Sequence, residues 1–88
     1  MTLACERAGA ASFTGQARDI SVGGMYLDSS EQPPFGTQLT LVGRLPGAKK
    51  ELRLPAVVRW AKPGGFGVQF GLLGALETHL ISELMKGH

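Results

Sequence analysis

Asp19, Ser21, Gly23 and Gly24 fall within one six-residue run, Asp19-Ile20-Ser21-Val22-Gly23-Gly24, with Arg18 directly before it. A carboxylate accepts hydrogen bonds, a hydroxyl both donates and accepts, and glycine lets a backbone approach a ligand closely or take positive φ. Backbone amides and a hydroxyl in a tight turn suit the oxygens of an anion. The carboxylate of Asp19 would repel such an anion, so its partners are N–H groups, either of a ligand or of the turn itself. The same residue types also build ordinary turns, and that structural reading stays open beside the binding one.

Other chemistries have less support. Ser21 has no histidine close in sequence, and the chain has neither a Gly-x-Ser-x-Gly elbow nor a P-loop. Gly64-Gly65-Phe66-Gly67 lacks the following helix of a dinucleotide fingerprint. Cys5 is the single cysteine, read as a small buried strand residue, and His79 and His88 have no second ligand at metal spacing. The expectation is a protein with no catalytic residues, no metal and no resident cofactor. The net charge is +2, with nine Lys and Arg spread along the chain, which argues against duplex nucleic acid and leaves a small anionic ligand compatible.

These residues must be positioned by short strands. The 88 residues suit one domain, 1–88, and 13 glycines imply many tight turns. Residues 2–6 and 12–18 read as strands around the small-residue turn Ala8-Gly9-Ala10-Ala11, and Met25-Tyr26-Leu27 as a third. The polar stretch from Asp28 to Pro34 holds two prolines and interrupts the sheet. After Gly36, Leu39 and Leu41 share a face and Thr40 and Val42 the other, before a turn at Pro46-Gly47. The next strand alternates most clearly, placing Leu52, Leu54, Ala56, Val58 and Trp60 inward and Glu51, Arg53, Pro55, Val57 and Arg59 outward. Pro63-Gly64-Gly65 turns it into Phe66-Gly67-Val68-Gln69-Phe70, with Phe66 and Phe70 as core, and Tyr26 is the aromatic expected to be partly exposed. A helix over about 73–86 follows, with Leu73, Leu76, Leu80 and Leu84 as its apolar stripe, Ile81 and Met85 beside it, and Gly87 as its stop. No stretch approaches the ~20 apolar residues of a membrane span, and the N-terminus has no signal-peptide pattern, so a cytoplasmic location is expected.

The frame Gly15-x-x-x-Asp19-Ile20-Ser21-x-Gly23-Gly24-x-x-Leu27 resembles the PilZ domain family, bacterial receptors of the second messenger cyclic di-GMP. Gly36-Thr37-Gln38-Leu39-Thr40-Leu41, Ala56-Val57-Val58-Arg59-Trp60 and Gly65-Phe66-Gly67-Val68-Gln69-Phe70 fall where that family has comparable strands, so the resemblance covers nearly the whole chain. It implies a mainly β fold, a small six-stranded antiparallel barrel with a C-terminal amphipathic helix. It also implies a cyclic di-GMP site holding Asp19, Ser21, Gly23, Gly24 and Arg18.

The family's second site element is an Arg-x-x-x-Arg segment just before the first strand, and by the spacing of the frame its positions precede Met1. Arg7 does not supply it, because Leu3 and Ala11 stand four residues to either side. Binding is therefore expected to be weak or to depend on an upstream segment. The alternative is a degenerate PilZ domain that contacts a partner protein, an adjoining domain or a second copy through Tyr26, Val57 or the helix.

Overall fold

The computed structural model describes residues 1–44, 49 and 51–86, the side chains of 84–86 excepted. The expected turn at Pro46-Gly47, the stop at Gly87, the stripe position Leu84 and Met85 beside it lie outside what is described. The elements are β1 (Thr2–Glu6), β2 (Phe13–Arg18), β3 (Gly24–Asp28), β4 (Gln38–Gly43), β5 (Leu52–Lys62), β6 (Gly65–Phe70) and α1 (Ala75–Lys86). All neighbouring strands are antiparallel, and the order β1-β2-β3-β6-β5-β4 closes on itself through β4 and β1. Closure leaves no unpaired sheet edge. This is the six-stranded barrel with one terminal helix that the strand pattern and the resemblance implied.

Period-two alternation sends Leu3, Cys5, Met25, Leu27, Leu39, Leu41, Leu54 and Val58 inward together with Phe66, Val68 and Phe70. Phe66 is fully buried at the centre, with the ring of Phe13 edge-on at 5.9 Å. Burial pushes the Cys5 thiol up to about 11, against a smaller opposing pull from Arg7, so the thiol stays protonated and inert near neutrality.

The helix departs from expectation in its phase. Leu80 and Ile81 are buried in the core, and Leu73 packs against it from the segment before α1. Leu76 is 55% exposed and Leu72 is 97% exposed. The chain enters the helix at Ala75 rather than Leu73, and the buried stripe is centred between Leu80 and Ile81, which turns Leu76 to its margin.

A second departure bears on function. Trp60 was expected inside with Leu52, Leu54, Ala56 and Val58, and it is instead 47% exposed. The register explains why: Val58 pairs with Val68, but Trp60 pairs with Gly67, so β5 spends two steps where β6 spends one. That bulge at Arg59 reverses the alternation and puts both Arg59 and Trp60 on the outer surface.

Candidate functional site

The turn between β2 and β3 is held by its own residues. Asp19 takes a positive φ of 45°, a conformation that Asp tolerates better than most residues. Ile20 packs against the core and anchors the loop, while Val22 is exposed. The Ser21 amide donates to the Gly24 carbonyl at 2.8 Å, and the Phe70 amide donates to the Gly23 carbonyl at 2.9 Å, stitching the turn to β6. The Ser21 hydroxyl accepts from the Gly23 and Gly24 amides at 3.3 and 3.2 Å and donates to the Gly24 carbonyl at 3.2 Å. Its one proton and both lone pairs are engaged within the loop. Ser21 therefore shapes the turn rather than presenting a free donor.

Gly24 is required by packing. A Cβ there would collide with the Val68 carbonyl, because β3 lies close against β6 at this point. Gly67 and Gly65 serve a different purpose on the outer face of β6. A Cβ at 67 would run into the indole of Trp60, and one at 65 into the phenol of Tyr26. Tyr26, Gly67 and Trp60 are cross-strand neighbours on three adjacent strands. The missing side chain makes a floor, and the two flanking rings lie over it, stacked with centroids 5.2 Å apart and planes 11° from parallel. Lys62 Nζ stands over both rings, 5.3 Å from the Tyr26 centroid and 5.6 Å from that of Trp60.

The turn and the aromatic pair border one surface depression of about 460 Å³. Asp19, Ser21, Gly23 and Gly24 line it from one side and Tyr26, Trp60, Lys62 and Gln69 from the other. Among the described residues, neither the Asp19 carboxylate nor the Lys62 ammonium has an oppositely charged partner. The depression thus brings together an acceptor group, a cation and a half-exposed indole. That set can stack a planar base, accept from its N–H edge and offset a nearby negative charge.

Arg18 is not among the lining residues. It forms an ion pair with Asp28 across β2 and β3, on the outer surface. Trp60, Tyr26, Lys62 and Gln69 were not singled out as site residues from sequence, although Tyr26 was read as partly exposed. The available signal was the pair of glycines two apart on β6, which leaves its outward row bare. Among the described residues, no group of three or more His, Cys, Asp or Glu side chains gathers where it could hold a metal ion.

The PilZ domain model matches residues 2–86. This chain belongs to the PilZ domain family. A crystal structure of the PilZ domain of CeSA from a cellulose-synthesizing bacterium superposes with a TM-score of 0.76 at 23% identity, covering 99% of this chain and 90% of that one. At that identity the likeness establishes the fold. No curated protein is significantly similar in sequence. PilZ domains are cyclic di-GMP receptors, binding and regulatory modules rather than enzymes. In this PilZ domain the described helix is too short to cross a membrane.

Proposed function

We propose that this PilZ domain binds cyclic di-GMP in the depression between the Asp19 turn and the Trp60 ring. One observation carries the reading: the β5 bulge turns Trp60 outward onto the Gly67 floor, beside a turn whose carboxylate has no ionic partner. A guanine stacks on the exposed part of the indole and Asp19 accepts from its N–H groups, while the Gly23 and Gly24 amides, engaged by the Ser21 hydroxyl, hold the turn that presents Asp19. Among the described residues Lys62 meets the two rings and no carboxylate, which leaves its charge for a phosphate oxygen. An Arg-x-x-x-Arg segment joined ahead of Met1 would complete the charge balance. Two guanidinium contacts at roughly 1.5–3 kcal/mol each raise affinity by a factor of about 100 or more.

Calorimetry of the 88-residue chain, and of the same chain extended ahead of Met1 by an Arg-x-x-x-Arg segment, tests this. Both are expected to bind, the longer one more tightly. No heat and no chemical-shift change from either at ~100 μM ligand overturns it.

A second reading is self-association around the start of the helix, favoured by the exposure of Leu76 in its first turn and of Leu72 in the segment before it. Sedimentation velocity is expected to show a concentration-dependent dimer that Leu76→Glu removes. A monomer at millimolar concentration defeats it.

A further inference from the structure

Gln69 is the one outward-facing residue of β6 that carries a side chain, since Gly65 and Gly67 share its row while Phe66, Val68 and Phe70 face the core. It stands beside Gly24 across β3 and lines the same depression as Asp19 and Trp60. Arg59, displaced outward by the bulge, donates from Nε to Gln69 Oε1 at 2.7 Å. The guanidinium is steadied from behind by the ring of Phe35, 5.9 Å from its centroid. Arginine has donors only, so the glutamine must turn its oxygen toward Arg59. That fixes the amide: Nε2 and both its hydrogens remain for the depression.

A fixed donor lining the same depression as a carboxylate that has no ionic partner among the described residues is a pattern with base selectivity. Guanine offers acceptors at O6 and N7 next to donors at N1 and N2; adenine offers a donor at N6 and an acceptor at N1. Nε2 of Gln69 facing O6, with the Asp19 carboxylate facing N1–H and N2–H, matches guanine at each position. With adenine, donor meets donor and the carboxylate loses its partners, and leaving polar groups unpaired in this way is what makes hydrogen-bond selectivity large.

Resting on the cyclic di-GMP reading above, we propose that Gln69 is a specificity-determining residue that selects guanine over adenine. Arg59 is its positioning residue, acting through the amide orientation and not through contact with the base. The bulge then has two consequences: it exposes the stacking ring, and it brings the residue that orients the reader.

The test uses the full chain titrated with cyclic di-GMP and cyclic di-AMP, followed by calorimetry and by the fluorescence of Trp60, the sole tryptophan. A good two-point match is worth ~5- to 150-fold in discrimination, and the wild-type chain is expected to prefer cyclic di-GMP within that range. Gln69→Ala lowers the preference to within a few-fold. Gln69→Glu, equal in size but an acceptor at both atoms, shifts it toward cyclic di-AMP. Arg59→Ala frees the amide to rotate and erodes the preference, while Arg59→Lys, still a donor to Oε1, restores much of it. A residue with only a structural role would move both nucleotides together. Wild-type binding of cyclic di-GMP with an unchanged preference in Gln69→Ala and Arg59→Ala overturns this inference and leaves the functional reading standing. Equal wild-type affinity for both nucleotides does the same, and binding of neither by the chain or by its upstream-extended form removes both.

Discussion

Of two depressions on the outside of the barrel, both lined by described residues, the larger is the less reactive. The one of about 670 Å³ runs over β1, β4 and β5 and is bordered by Glu6, Arg7, Thr40, Pro55, Val57 and Gly71. Its charges are already occupied: Glu6 accepts from Arg53, and Arg7 donates to the Ala11 carbonyl and to Glu31. The smaller one, of about 460 Å³, holds Asp19 without an ionic partner, Lys62 resting on two rings, and a half-exposed indole. Volume alone would select the first. Unsatisfied hydrogen-bonding capacity and uncompensated charge select the second, because a ligand gains free energy from groups that are not already satisfied within the protein.

The two faces also tolerate change differently, and glycine substitutions expose this with the largest expected effect. At Gly24 a new Cβ meets a backbone carbonyl that cannot move without breaking the β3–β6 ladder. Gly24→Ala is expected to lower stability by about 2–3 kcal/mol, the upper range for overpacking, and to abolish cyclic di-GMP binding. At Gly71, beside the larger depression, a Cβ would stand 3.4 Å from Pro55 Cβ and 3.5 Å from its Cγ, about ordinary contact distance. Gly71→Ala should stay within ~0.5 kcal/mol of wild type and leave binding intact. Thermal melts of the two variants check the contrast, and equal losses would erase it.

Truncating Trp60 probes the platform itself. Trp60→Ala is expected to weaken cyclic di-GMP by ~10- to 100-fold, as base stacking on an aromatic is worth ~1–3 kcal/mol. Thr40→Ala, in the larger depression, should leave affinity unchanged in the same calorimetric titration. A Trp60→Ala chain that binds like wild type would move the site away from the aromatic pair.

How much of this was legible beforehand differs between the two halves of the site. The Asp19-to-Gly24 turn and the strands on either side could be read from residue types and alternation, because period two and glycine placement are local properties. The position of Trp60 could not be read from its own strand, where Leu52, Leu54, Ala56 and Val58 count directly toward an inward indole. What reverses the count is a register shift against β6, a property of a strand pair that one strand does not encode. The relevant clue sat across the ladder, in the bare outward row of Gly65 and Gly67. Pairing Gln69 with Arg59 depends on the same shift. In the helix, likewise, the spacing gave a stripe but not its phase, since the docking against the barrel decides whether Leu76 or Ile81 turns inward.

Ser21 gives a smaller and more diagnostic effect. Its hydroxyl closes the turn through two amides and one carbonyl, all at 3.2–3.3 Å. Ser21→Ala removes those bonds at about 1 kcal/mol of stability and lets the Gly23-Gly24 amides turn away. Cyclic di-GMP affinity should fall several-fold, the loss appearing as a less favourable entropy of binding because the loop is ordered only on contact. Unchanged affinity would mean that the turn holds its shape through its backbone bonds, the Ser21 amide to the Gly24 carbonyl and the stitch to β6.

The smallest expected effect tests the silence of the larger depression. Glu6 and Arg53 pair across its border, and both side chains are well exposed at 44% and 61%. Water and salt screen such a pair, and its contribution is usually below about 1 kcal/mol. Glu6→Gln should therefore shift the melting temperature only slightly, with the shift vanishing as ionic strength rises. It should leave the cyclic di-GMP isotherm superimposable on that of wild type, since the variant frees Arg53 on the face that the ligand does not touch. A gain in affinity would be the informative failure. It would mean that a liberated guanidinium near β1 reaches the nucleotide, and that the two faces act on one ligand.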